Sequence, residues 1–182
     1  MLNRVVTAAA LAVGGVLLSK QLTKKHRLSN NLSAVEESIE VNVPVSTAYN
    51  QWTQFEDFPK FMENVREVRQ LDNKHLHWRA TVAGKEVEWD AEIVEQIPDK
   101  RIAWRSISGP PNAGAVSFHK ISPNTTRVTL KIGYEPEGAV EQVGDALGAV
   151  RMEARSSLLR FKEMLESRGR ETGAWRGTIT QH

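Results

Sequence analysis

From Glu36 onward the chain alternates apolar and polar side chains, with turn residues interrupting the pattern at short intervals. A period of two is the mark of strands with one buried face. Leu76, Trp78, Ala80 and Val82 share one face of residues 75–83. Val87, Trp89, Ala91 and Ile93 share one face of residues 85–97, with Glu86, Glu88, Asp90 and Glu92 opposite. Ala83-Gly84 between these runs is a tight hairpin signal. Residues 64–71 and 101–107 read as further strands, the second with Ile102 and Trp104 inward. Residues 115–121 and 126–135 form a last hairpin around Ser122-Pro123-Asn124. In it Val116 and Phe118 face Val128, Leu130, Ile132 and Tyr134. Asp72-Asn73 and Pro98-Asp99-Lys100 are turns, and Gly109-Pro110-Pro111-Asn112 is a loop. Strands joined by such short turns pair antiparallel.

The period changes after Gly138. Val140, Val143, Leu147, Val150, Ala154, Leu158, Phe161 and Leu165 recur at steps of three and four, with Glu141, Asp145, Glu153, Lys162 and Glu166 off the stripe. This predicts a long amphipathic helix over residues 138–168 that covers the apolar sheet face. Gly144, Gly148 and Ala149 leave its first half thin. Ahead of the strands, residues 37–62 read ESIEVNVPVSTAYNQWTQFEDFPKFM. A strand stops at Pro44, and Ser46 opens a helical segment carrying Ala48, Tyr49 and Trp52. Phe55, Phe58, Phe61 and Met62 follow. Together these make one wall of a hydrophobic cavity.

The order and spacing of these pieces resemble the START-like (SRPBCC) superfamily, in its polyketide cyclase/dehydrase and coenzyme-Q-binding branch. The residues that carry the resemblance are Val41–Pro44, Ala48-Tyr49, Trp52, Phe55 and Phe58–Met62. Gly114-x-Val116-x-Phe118, Thr126-x-Val128-x-Leu130 and Tyr134-x-Pro136-x-Gly138 before the long helix extend it. It covers roughly residues 36–167 and implies an α+β helix-grip fold. Such a fold is a curved antiparallel sheet of about seven strands, wrapped around a C-terminal helix with an apolar cavity inside. It also implies binding of a hydrophobic small molecule, lipid or quinone, with a carrier or chaperone role. An aromatic cyclase or dehydratase is the alternative.

The ends of the chain are basic and the middle is acidic. Residues 1–35 hold Arg4, Lys20, Lys24, Lys25 and Arg27 and no acid, whereas residues 36–167 hold 16 Lys/Arg against 21 Asp/Glu. That distribution argues against a nucleic-acid partner for the middle. There is no cysteine, which excludes disulfides and thiolate metal sites. Residues 5–18, VVTAAALAVGGVLL, are uncharged but shorter than the roughly 20 apolar residues of a usual span. With basic residues following them, they read as a membrane-associating segment (residues 1–28) that keeps the domain on the cytoplasmic side. A cleaved secretory signal, placing the domain in the periplasm or outside, is the alternative. A polar linker over 29–35, a domain over 36–168 and a flexible basic tail over 169–182 complete the expected organisation.

The expected ligand-binding set is Trp52, Phe55, Phe58, Phe61, Met62, Trp78, Trp89, Trp104, Phe118, Leu130, Tyr134, Val143 and Leu147. Aromatic faces suit a quinone or polycyclic ring. The bland reading of each tryptophan is core filling, but the group as a whole favours a cavity. His75 and His77 stand on one strand face, opposite the apolar one, so H-x-H reads as a solvated face and not as a metal site. The acidic row on 86–92 is likewise an outer sheet face. Tyr49, Tyr134, Ser106 and Asn64, with Arg79 and Arg105 on a shifted register, are the polar groups nearest an inward position. They do not form a recognisable acid–base set, so the reading is a binder with no cofactor and no metal.

Overall fold

The computed structural model describes residues 33–82, 84–134 and 140–180, except the side chains of residues 33, 134 and 140–145. Seven strands are present: β1 (Ser33–Val41), β2 (Val65–Gln70), β3 (His75–Val82), β4 (Lys85–Ile97), β5 (Arg101–Ser106), β6 (Asn112–Ser122) and β7 (Thr125–Tyr134). The helix α1 (Val45–Trp52) and a 3-10 turn (Phe55–Lys60) separate β1 from β2, and the long helix α2 (Val140–Arg168) follows β7. The sheet runs β1-β7-β6-β5-β4-β3-β2, and every neighbouring pair is antiparallel. This is the helix-grip arrangement expected from the sequence: the sheet curls, and α2 lies in it with Val150, Ala154, Leu158, Phe161 and Leu165 buried.

The alternation along β3 is realised residue by residue, with Leu76, Trp78, Ala80 and Val82 buried. Its hairpin partner β4 is set in register by the turn at Gly84, whose φ of 76° suits glycine. Trp78 then stands directly across from Trp89. On β4 the alternation slips at a bulge between Ile93 and Glu95. One extra residue reverses the faces beyond it, so Gln96 is turned inward and is 1% exposed.

Three boundaries differ from expectation. β1 begins at Ser33, inside the segment read as a linker. Val35 is buried and pairs with Ile132, so burial recruits these residues into the sheet. β6 begins at Asn112, inside the expected loop. There Gly114 pairs with Trp104, and a Cβ at Gly114 would overlap the indole. The bare glycine lets the Trp104 ring lie across β6. The third difference is the largest. Residues 169–180, read as a free basic tail, run back along α1 as a strap. Thr172 N–H donates to Gln51 Oε1 at 3.0 Å, Trp175 N–H donates to Thr53 Oγ1 at 3.0 Å, and Arg176 pairs with Asp99 at 2.7 Å. The strap ends by exchanging backbone hydrogen bonds of 2.7 and 2.8 Å between Ile179 and Gln96. The physical reason is that α1 buries two polar side chains, Asn50 and Gln51, and buried amides need partners. The strap supplies them.

Candidate ligand cavity

α1 and the 3-10 turn are built to present large side chains to one side. Trp52 ends α1, and the chain then turns through Phe55, Phe58 and Phe61, which meet Trp52 or one another edge-on or tilted at 5.2–5.6 Å. Pro59 inside the short turn keeps it from growing into a regular helix. Across from this wall the sheet contributes Trp78 and Trp89, stacked at 5.5 Å with an interplanar angle of 11°. Phe58 reaches the stack at 5.5 Å from Trp78.

Between wall and sheet lies a cavity of about 40 Å³. Of the expected residues, Trp52, Phe55, Phe58, Met62, Trp78, Trp89, Trp104 and Leu130 line it. Phe61 and Phe118 do not. Phe61 turns behind Trp52 to pack on Phe161 at 5.2 Å, and Phe118 meets Tyr49 at 5.5 Å in the core. Their sequence signal was apolarity, which does not say which side of a wall a ring takes. Leu147 is partly buried against the same core and lies outside the lining. The side chains of Tyr134 and Val143 lie outside those described. Leu76, Ile93, Ile102, Ile132 and Asn112 complete the lining. The first four stood on the apolar face by alternation, and a stricter use of that face would have named them. Asn112 was hidden by the loop reading of Gly109-Pro110-Pro111.

The electrostatics of the cavity are simple. Among the described residues no titratable side chain lines it. Asn112 donates its Nδ2 to the Pro110 carbonyl at 3.2 Å and its backbone N–H to Ser106 Oγ at 2.9 Å. Tyr49 is fully buried but belongs to the core side of α1; burial raises its pKa, against an opposing hydrogen-bonding effect of Gln96. Arg79 and Arg105 stay on the outer face, beside Glu67 at 3.7 Å and Glu92 at 2.9 Å. Near Met62, Asn64 Nδ2 donates to Glu153 at 3.1 Å. Burial, and then Glu63, raise the Glu153 pKa, with Arg160 opposing.

The outer face holds the remaining candidates. His77 Nδ1 lies 2.7 Å from Asp90, and His75 Nδ1 lies 2.8 Å from Asp72. The hydrogen bond from His77 holds the Asp90 carboxyl below the usual range. Among the described residues no three His, Cys, Asp or Glu groups converge as a metal site.

Solved structures share this architecture. The Zhui aromatase/cyclase of Streptomyces sp. R1128 superposes with a TM-score of 0.66 at 15% identity, covering 79% of this chain and 99% of that one. A START superfamily protein of Mycobacterium smegmatis superposes with a TM-score of 0.58 at 16% identity, covering 74% and 95%. At these identities the likeness is one of fold. An uncharacterised 17.2 kDa protein of Streptomyces lincolnensis is 50% identical over 149 residues, which is 81% of this chain and 99% of the relative. Residues 41–163 match the family described as polyketide cyclase / dehydrase and lipid transport. With that match spanning strand β1 to most of α2, the chain belongs to the polyketide cyclase / dehydrase and lipid transport family, on a START-like helix-grip fold.

Proposed function

We propose that this protein binds a hydrophobic small molecule or lipid in the cavity and carries it without transforming it. One observation carries the reading: the lining is aromatic and aliphatic, and among the described residues it holds no group that titrates. A cyclase or dehydratase moves protons, and it needs an acid–base side chain within hydrogen-bond reach of the substrate. That second reading is supported by the likeness to an aromatase/cyclase fold and opposed by the lining. The flat Trp78–Trp89 stack favours a ring-bearing ligand, a quinone among them.

A volume of 40 Å³ holds about three waters, so binding must widen the cavity. The wall best suited to move is α2 near Gly148, where nothing lies within 4 Å of a Cβ position. Residues 1–28 fit this picture as a tether. A carrier of membrane-dissolved molecules gains from standing at the bilayer, and each basic residue near an anionic surface contributes about 1 kcal/mol. Among the described residues no helix is long and apolar enough to cross a membrane, and residues 5–18 lie outside them.

The test is extraction of the full chain, purified from cells, with organic solvent followed by mass spectrometry. A stoichiometric hydrophobic molecule supports the reading. Its absence, together with an unchanged melting temperature when quinones or lipids are added, overturns it, because a bound ligand stabilises by mass action.

A further inference from the structure

The cavity contains one unanswered donor. Trp78 is 7% exposed, and its indole Nε1 is buried with no hydrogen-bond partner among the described residues. Nearly all buried polar groups in folded proteins are paired, and an unpaired one destabilises the state that contains it. Trp78 lines the cavity, so an acceptor on a ligand is well placed to satisfy it. Trp89, its stacking partner on the same lining, shows no such orphan nitrogen.

The rest of the lining limits what that acceptor is. No Lys, Arg or His stands among the described lining residues, so a carboxylate or phosphate held there would lie in an apolar site without a counter-charge. Asn112 adds an amide whose Nδ2 is already given to Pro110, leaving its Oδ1 free to accept. The complementary group is therefore neutral: a ketone, quinone or ester oxygen attached to a flat apolar body.

We infer that Trp78 determines specificity in this cavity by donating its indole N–H to a neutral carbonyl-type oxygen on a ring-bearing ligand. The inference rests on the proposed ligand-binding function and adds the chemistry of the ligand's polar group. Hydrogen bonding and stacking are separable here. Removing the N–H weakens carbonyl ligands and leaves their hydrocarbon isosteres unaffected.

The probes are 2-acetonaphthone, its isostere 2-isopropenylnaphthalene, in which CH2 replaces the carbonyl oxygen, and 2-naphthoate. Dissociation constants are measured by titration calorimetry on the full chain, its Trp78→Phe variant and its Trp89→Phe variant. Trp78→Phe should weaken 2-acetonaphthone about tenfold and change 2-isopropenylnaphthalene by less than about twofold. Trp89→Phe should affect both neutral probes alike, and 2-naphthoate should bind weakest to the wild type. Should Trp78→Phe not fold, the benzothienyl analogue of tryptophan at position 78 keeps the ring and removes the donor. If the Trp78 replacement weakens both neutral probes equally, or neither, or if 2-naphthoate binds best, the inference falls while the binding function stands. If none of the three binds the wild type, both fall.

Discussion

Replacing Gln51 by leucine isolates what the strap contributes to α1. Gln51 is fully buried, and its amide is used at both ends. Nε2 donates to Asp57 Oδ2 at 3.1 Å and to Thr172 Oγ1 at 3.2 Å. Oε1 accepts from the Thr172 N–H at 3.0 Å and from Arg168 at 3.3 Å. Leucine fills a similar volume and removes all four bonds. A net hydrogen bond contributes about 0.5–1.5 kcal/mol, and more with a charged partner. Asp57 and Arg168 recover water, so the loss should sit near 3 kcal/mol. For a chain of this size that corresponds to a fall of about 6–12 °C in Tm. Scanning calorimetry or urea unfolding reads it directly. A cycle assigns it: in a chain ended at Gly169, Thr172 is already gone, and Gln51→Leu should cost about 1.5 kcal/mol less than in the full chain. Equal costs in the two backgrounds would refute the reasoning, because they would show that Gln51 and the strap are independent. Asp57 belongs to the same network. Its partial burial alone would raise its pKa, but hydrogen bonds from Lys60, Thr172 and Gln51 prevail and lower it. Its contribution is therefore present above the unfolded aspartate range and lost as pH falls through the depressed value, and Gln51→Leu should flatten that acid limb.

Glu153→Gln should stabilise the protein at neutral pH. The folded pKa of Glu153 is raised, so the native state binds the extra proton and stability falls as pH rises just above the ordinary glutamate range; urea midpoints across that window should lose this slope in the variant. Gly114→Ala should destabilise by about 1–3 kcal/mol, because the new methyl overlaps the Trp104 ring and sits 2.9 Å from the Lys131 carbonyl oxygen. The displaced indole also changes the cavity, so tryptophan fluorescence should shift along with the urea midpoint. Deleting residues 2–28 should move the protein from the membrane to the soluble fraction with its Tm unchanged, since β1 begins only at Ser33. Sedimentation with membranes after the deletion would point to a contact elsewhere on the domain.

The sheet and the α2 stripe were legible because their signal is local. Alternation on β3 needs only the side chains of β3, and Val150 to Leu165 mark a helix face by spacing alone. The aromatic wall was legible for the same reason, although Phe61 and Phe118 show that a run of apolar residues does not reveal which member faces the ligand and which faces the core. Gln96 could not be read, because a bulge two residues earlier reverses its face and nothing in Val94-Glu95-Gln96-Ile97 announces one. The strap was hidden more thoroughly. Its residues are polar, rich in glycine and arginine, and without period. What holds them is a pair of amides on α1, far back in the chain, whose burial is itself invisible in VSTAYNQW.

The separation between Gln51 and Thr172 has a consequence for how the protein is made. The two residues are 121 positions apart. At roughly 5–20 residues per second, a ribosome needs about 6–24 s to travel between them. During that interval the Gln51 side chain has no partner in the strap, and β1 lacks its neighbour β7 for most of it, since Ser38 and Thr129 are 91 positions apart. The nascent chain therefore carries an unpaired edge strand and a half-formed aromatic wall until translation is nearly past α2. Such surfaces are what chaperones bind and what seeds aggregation. Synthesis rate, rather than final stability, should then govern the yield of folded protein: slowing translation before residue 130 lengthens the exposed interval, and slowing it after residue 180 does not.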